Sequence, residues 1–86
     1  MYRVIFNARA KAYFEDAQVP LQRKLNRFVE LIMAEPRRHP NTKRLSGVLA
    51  DYYRFRVGDY RVLYRIDDQD GIIYIDKIAH RSEVYE

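Results

Sequence analysis

The chain predicts an α+β fold: an N-terminal strand, two helices, then a three-stranded antiparallel meander, with the helices packed on one face of the sheet. Three observations predict it. "MYRVIF" alternates and is rich in β-formers; a helical apolar stripe runs from Leu21 to Met33; and "YYRFRVGDYRVLYRI" reads as two alternating runs around Gly58-Asp59. The 86 residues suffice for one domain, spanning 1–86, with one modest core, and 48% hydrophobic residues is ordinary for a folded protein.

Residues 2–6 form the first predicted strand. Asn7 is a good N-cap, and "ARAKAYFEDA" after it is rich in helix formers, so a first helix should end near Ala17. Pro20 fits the first turn of a second helix. In it, Leu21, Leu25, Phe28, Val29, Ile32 and Met33 recur at three- and four-residue spacings, opposite Arg23, Lys24, Arg27 and Glu30. That stripe is core, and Pro36 stops the helix. Residues 36–50 read as loop, punctuated by Pro40, Asn41 and Gly47 and tacked to the core by Leu45, Val48 and Leu49. Strands follow near Tyr52–Val57, Tyr60–Asp67 and Ile72–Ala79, with "DDQDG" as the second turn and Gly71 suited to positive φ.

Composition excludes several function classes. Without cysteine there is no disulfide framework or thiolate zinc site, and His39 and His80 alone cannot build a histidine-rich metal cage. The start reads as a strand rather than a signal peptide, and no apolar stretch approaches the roughly 20 residues of a membrane span, so a cytoplasmic protein is expected. The 16 basic against 12 acidic residues give a net charge of +4. The excess is local: Arg37, Arg38, Lys43, Arg44, Arg54, Arg56, Arg61 and Arg65 stand against Asp51 and Asp59 between positions 37 and 65. Such a zone suits a polyanionic partner, or serves simply as a solvated surface.

With Gly58-Asp59 as a two-residue loop, Val57 pairs with Tyr60, Arg56 with Arg61, Phe55 with Val62, Arg54 with Leu63 and Tyr53 with Tyr64. Tyr53, Phe55, Val57, Val62, Tyr64 and Ile66 then share the face that meets the helices, while Arg54, Arg56, Arg61 and Arg65 share the other. Like charges directly opposed destabilise a sheet, so an anion that completes the cluster is the functional reading. Phosphate fits, because guanidinium binds it through two parallel hydrogen bonds. The structural reading is that Asp76, Glu83 or Glu86 neutralises the cluster. In the tail "IAHRSEVYE", His80 is suited to proton transfer near neutral pH, and Tyr85 to hydrogen bonding, proton transfer or base stacking. If the last turn centres on Gln69-Asp70, even-numbered residues of the last strand, His80 included, join the arginine face; a longer loop reverses that register.

Taken together, the length, the element order, "KRLSG" before the sheet, "YYRFRVGDYRVLYRI" and the terminal "HRSEVY" resemble the RelE/ParE superfamily of bacterial and archaeal toxin–antitoxin toxins, and most the RelE branch. That resemblance covers essentially the whole chain. It implies a ribosome-dependent endoribonuclease that cuts mRNA in the ribosomal A site. It also implies a small DNA-binding antitoxin that wraps the toxin, so that operator DNA is reached only through the complex, with no membrane partner and no cofactor. By position, Arg54 and Arg56 fall where well-known members carry lysines, Arg61 matches an arginine in the family's "YR" strand, and Tyr85 matches the tyrosine of "SEVY". His80 and Arg81 compete for the tail's basic position.

The implied reaction is metal-independent attack of the RNA 2′-hydroxyl on the adjacent phosphate, leaving a cyclic phosphate and a free 5′-hydroxyl. Arg54, Arg56 and Arg61 would hold the phosphate, and His80 would move a proton. Tyr85 would orient or stack a base, and Arg81 would bind phosphate or protonate the leaving oxygen. Arginine stays charged and cannot replace a lysine as general base, so that role passes to His80 or Tyr85, or activity is reduced. The alternatives are a ParE-like inhibitor of DNA gyrase and a non-catalytic antitoxin-binding protein.

Overall fold

The computed structural model describes residues 1–83. Its order is β1 (Arg3–Phe6), α1 (Ala8–Asp16), α2 (Val19–Ala34), β2 (Thr42–Arg44), β3 (Tyr52–Val57), β4 (Tyr60–Asp67) and β5 (Ile72–His80), with short 3-10 turns at Gly47–Leu49 and Arg81–Glu83. The α+β class and the antiparallel β3–β4–β5 meander are as the sequence predicts. The sheet, however, has five strands in the order β1-β5-β4-β3-β2. β1 lies parallel to β5, and residues 42–44, expected as loop, pair antiparallel with β3 as a short edge strand. No helix among the described residues is long and apolar enough to cross a membrane.

Each helix begins and ends for local reasons. Asn7 Oδ1 accepts from the Ala10 N–H at 2.8 Å, satisfying an otherwise orphan donor at the start of α1, while its Nδ2 donates to the Asp76 carbonyl at 2.9 Å. One side chain therefore caps α1 and ties it to β5. Pro20 lies in the first turn of α2, where its missing N–H costs no bond. Glu35, before Pro36, is extended (φ −149°, ψ 100°) because the proline ring disfavours a helical residue there.

Both helices pack on one sheet face. Leu25, Phe28 and Ile32 of α2 are buried against Phe55, Val62, Tyr64, Ile73 and Ile75. The Phe28 ring centroid lies 4.7 Å from that of Phe55 and 5.9 Å from that of Tyr64. Burying a side chain such as Phe28 contributes about 1.5–3 kcal/mol. Tyr64 is fully buried, and its hydroxyl donates to the Pro36 carbonyl at 2.6 Å. Burial pushes the Tyr64 phenol up to about 12.

A second polar tether lies beside this one, since Arg37 follows Pro36 and Tyr53 pairs with Tyr64. Arg37 Nη2 meets Asp68 Oδ2 at 2.7 Å and its Nε donates to the Tyr53 hydroxyl at 3.2 Å, while the Tyr2 hydroxyl donates to Asp68 Oδ1. The Tyr2 and Arg37 hydrogen bonds hold the Asp68 carboxyl below the usual carboxylate range. This cluster joins the N-terminus, the segment after α2 and the β4–β5 turn.

Candidate active site

The helix-free face of the sheet is set by the hairpin. Its register is the predicted one: Val57↔Tyr60, Arg56↔Arg61, Phe55↔Val62, Arg54↔Leu63 and Tyr53↔Tyr64. Gly58 has φ 58°, and Asp59 is not at positive φ, the pattern of a type II′ turn. Arg54, Arg56, Arg61 and Arg65 therefore lie on the face away from α1 and α2.

Three of these arginines come together. Arg54, Arg56 and Arg61 line a shallow cavity of about 330 Å³ with Pro40, Asn41, Thr42 and Lys43. The edge strand β2 completes it. Lys43 pairs with Arg54 across β2 and β3, adding a fourth cation. Asn41 continues the pairing by exchanging two hydrogen bonds with the Arg56 backbone, its carbonyl accepting from the Arg56 N–H and its Nδ2 donating to the Arg56 carbonyl, both at 3.0 Å. Arg61 Nη1 donates to the Gly58 and Tyr60 carbonyls at 3.1 and 3.0 Å, which curls this guanidinium back over the hairpin tip. The cavity thus concentrates positive charge on a concave surface built of rigid strands, a receptor for a phosphate-sized anion.

Arg65 is different. Its Nε lies 3.3 Å from Asp76 Oδ2, and its guanidinium sits 4.3 Å from the Tyr74 ring centroid. Neutralisation by Asp76 therefore applies to Arg65.

The expectation for His80 needs correction. The turn does centre on Gln69-Asp70, with Asp67↔Ile72 closing it, and Tyr74 lies opposite Arg65 as an even-numbered residue should. Between Tyr64↔Ile75 and Leu63↔Lys77, however, β5 holds one extra residue, Asp76. This bulge reverses the alternation, so His80 pairs with Tyr60 and lies on the helix side of the sheet. Its ring stands at 89° to Tyr60, centroids 5.3 Å apart. His80 Nδ1 accepts the Ser82 N–H at 3.2 Å and lies 2.9 Å from Ser82 Oγ. Arg81 follows at the hairpin tip, where its N–H donates to the Asp59 carbonyl at 2.7 Å and its Nε lies 3.8 Å from Asp59 Oδ1. Tyr85 lies outside the described residues.

Sequence reading missed Lys43, Thr42 and Asn41 as parts of the cavity. The available signal was the basic pair Lys43-Arg44 just ahead of an arginine strand. Among the described residues, no three His, Asp or Glu side chains cluster as metal ligands would.

The fold defines a small α+β protein with two helices on a mixed five-stranded sheet. A family model described as the ParE toxin of the type II toxin–antitoxin system, parDE, matches residues 4–85. Among solved structures, a chain of the Mycobacterium tuberculosis toxin–antitoxin complex RelBE2 is 30% identical, covers 93% of this chain and 98% of its own, and superposes with a TM-score of 0.80. A chain of the archaeal RelE–RelB complex from Pyrococcus horikoshii OT3 is also 30% identical, covering 96% of this chain and 98% of its own, with a TM-score of 0.79. Toxin RelG of Mycobacterium tuberculosis is 42% identical over 43 residues, which span 50% of this chain and about half (49%) of that relative. The chain belongs to the RelE/ParE superfamily of type II toxin–antitoxin toxins.

Proposed function

We propose that this toxin is a ribosome-dependent endoribonuclease that cleaves mRNA through its 2′-hydroxyl. The observation that carries this reading is the convergence of Arg54, Arg56 and Arg61, with Lys43, on one cavity of the open sheet face. A cationic concave surface of this kind stabilises charge that develops on phosphate oxygens during transesterification. The 2′-oxygen attacks phosphorus and the bond to the 5′-oxygen breaks, leaving a 2′,3′-cyclic phosphate and a 5′-hydroxyl. One proton leaves the 2′-hydroxyl and one reaches the departing 5′-oxygen.

Permanently charged arginines do not carry those protons. With His80 turned to the helix side and held by Ser82, proton transfer in this reading falls to Tyr85. A phenol acts as a base when neighbouring cations draw its pKa down from about 10. Arg81, at the hairpin tip, binds a flanking phosphate. The ribosome aligns the message, which a shallow site cannot do alone.

The complexes formed by the relatives from Mycobacterium tuberculosis and Pyrococcus horikoshii support a cognate antitoxin as partner, with operator DNA reached only through that complex. Action on translating ribosomes places the toxin in the cytoplasm. The ParE description of the matching family model favours a second reading, inhibition of DNA gyrase without RNA cleavage. Primer extension on mRNA from a translating extract separates them. In-frame cuts that require ribosomes support the nuclease; intact mRNA with trapped gyrase–DNA complexes supports the gyrase inhibitor.

A further inference from the structure

Beside the arginine cavity, the open sheet face carries a second, differently built cluster. Tyr52 pairs with Arg65, and Arg65 with Tyr74, so three adjacent strands place these side chains in one row. The Arg65 guanidinium sits 4.3 Å from the Tyr74 ring centroid. Asp76 Oδ2 lies 3.3 Å from Arg65 Nε and accepts the Tyr52 hydroxyl at 2.7 Å. Asp76 shares this face with Tyr74 because the two are alternate residues of β5, and the bulge reverses the alternation only beyond it. The Arg65 side chain is still 45% exposed, against 22% for Asp76. A carboxylate thus fixes the guanidinium from its edge, a ring supports it from one side, and solvent reaches it.

Nucleobases stack on guanidinium planes and aromatic faces. Resting on the nuclease reading above, we propose that Tyr52, Arg65 and Tyr74, held by Asp76, form a platform for a nucleobase of the RNA flanking the bound phosphate. Tyr52 is two residues from Arg54 on the same face of β3, about 7 Å along the strand, a separation that a neighbouring nucleotide spans. The two clusters divide the work. The cavity is lined by Lys43, Arg54, Arg56 and Arg61, side chains suited to the polyanionic backbone. On the platform Asp76 balances Arg65, so its contribution is stacking. Continuity with that cationic cavity argues for single-stranded RNA as the occupant.

The test uses short 2′-O-methyl oligoribonucleotides, which the toxin cannot cleave, with an abasic site placed at each position in turn. Binding is followed by fluorescence anisotropy across a salt series. Wild-type toxin is expected to lose affinity when one particular base is removed. Arg65→Lys keeps the charge and loses the planar surface. It should bind the intact oligomer roughly 5- to 150-fold more weakly, ignore that abasic site, and keep the wild-type slope of log affinity against log salt. Tyr74→Leu, which retains apolar cover without a ring, should lose the same discrimination.

Indifference of the wild type to every abasic site overturns the proposal, as does Arg65→Lys discriminating like the wild type. Loss of purified antitoxin binding by Arg65→Lys, with RNA binding unchanged, assigns the face to the antitoxin and also overturns it. Cleavage by the wild type on programmed ribosomes is scored separately. Base-dependent binding without cleavage upholds the platform and removes the nuclease reading; cleavage with base-blind binding does the reverse.

Discussion

Replacing Arg56 by threonine should stabilise the protein while disabling it. Arg56 stands directly across from Arg61, and both are cations. A cross-strand pair is worth about 0.2–1 kcal/mol, and like charges directly opposed work against the sheet. The two backbone hydrogen bonds between Asn41 and residue 56 do not involve the side chain, so they survive the change. Threonine is β-branched and suits a strand, so little propensity is lost. Relief of repulsion should therefore raise the unfolding free energy by about 0.2–1 kcal/mol, which corresponds to a rise of about 1–8 °C in Tm for a domain of this size. The gain should shrink as salt screens the pair. On programmed ribosomes the same variant should cleave mRNA about 10²–10³-fold more slowly, the usual consequence of removing one preorganised donor to a charged transition state. Urea unfolding at low and high salt, set beside single-turnover cleavage, makes both measurements on one preparation. Destabilisation by more than about 1 kcal/mol would show that Arg56 holds the sheet together. Unchanged cleavage would show that its charge is not used.

Three further outcomes follow from the fold and the tail. Asn7→Ala removes both the α1 cap and the tie to the Asp76 carbonyl, and should cost about 1–2 kcal/mol in denaturant unfolding. Tyr64→Phe leaves the Pro36 carbonyl without its donor and should cost about 1–3 kcal/mol; it should also loosen β2, seen as faster amide exchange at residues 42–44. The raised Tyr64 pKa of about 12 means that the fold favours the neutral phenol, so this contribution is complete below pH 10 and is lost as pH rises through 10–12, a loss that Tyr64→Phe abolishes in alkaline unfolding. His80→Gln should cleave with the wild-type rate and pH profile, because the bulge places His80 on the helix side; a shifted pH profile would return the proton-transfer role to it.

The hairpin was legible because a two-residue loop leaves one register, and from that register the shared face of Arg54, Arg56 and Arg61 follows. The Asn7 cap, the Pro20 start and the Pro36 stop were legible because each acts on its immediate neighbours. The parallel pairing of β1 with β5 was not, since it joins residues nearly seventy positions apart and leaves no local mark. The edge strand β2 was hidden by its polar sequence, Thr42-Lys43-Arg44, which pairs because Asn41 and Tyr64 pin the preceding segment. The bulge had a trace. Ile73, Ile75 and Ile78 all enter the core, and the three-residue step from 75 to 78 breaks the alternation that an unbulged strand would keep. Reading that step would have moved His80 to the helix side while leaving Asp76 on the open face.

The central claim is that the cavity formed by Arg54, Arg56 and Arg61 binds the phosphate at which mRNA is cut. The most direct test is single-turnover cleavage of mRNA on programmed ribosomes by the wild type and by Arg61→Ala, with the product ends analysed and the fold of the variant checked by circular dichroism. The account predicts in-frame A-site cleavage by the wild type, products ending in a 2′,3′-cyclic phosphate and a 5′-hydroxyl, and a rate about 10²–10³-fold lower for a folded Arg61→Ala. Uncut message with the wild type, or full cleavage by the folded variant, would contradict it.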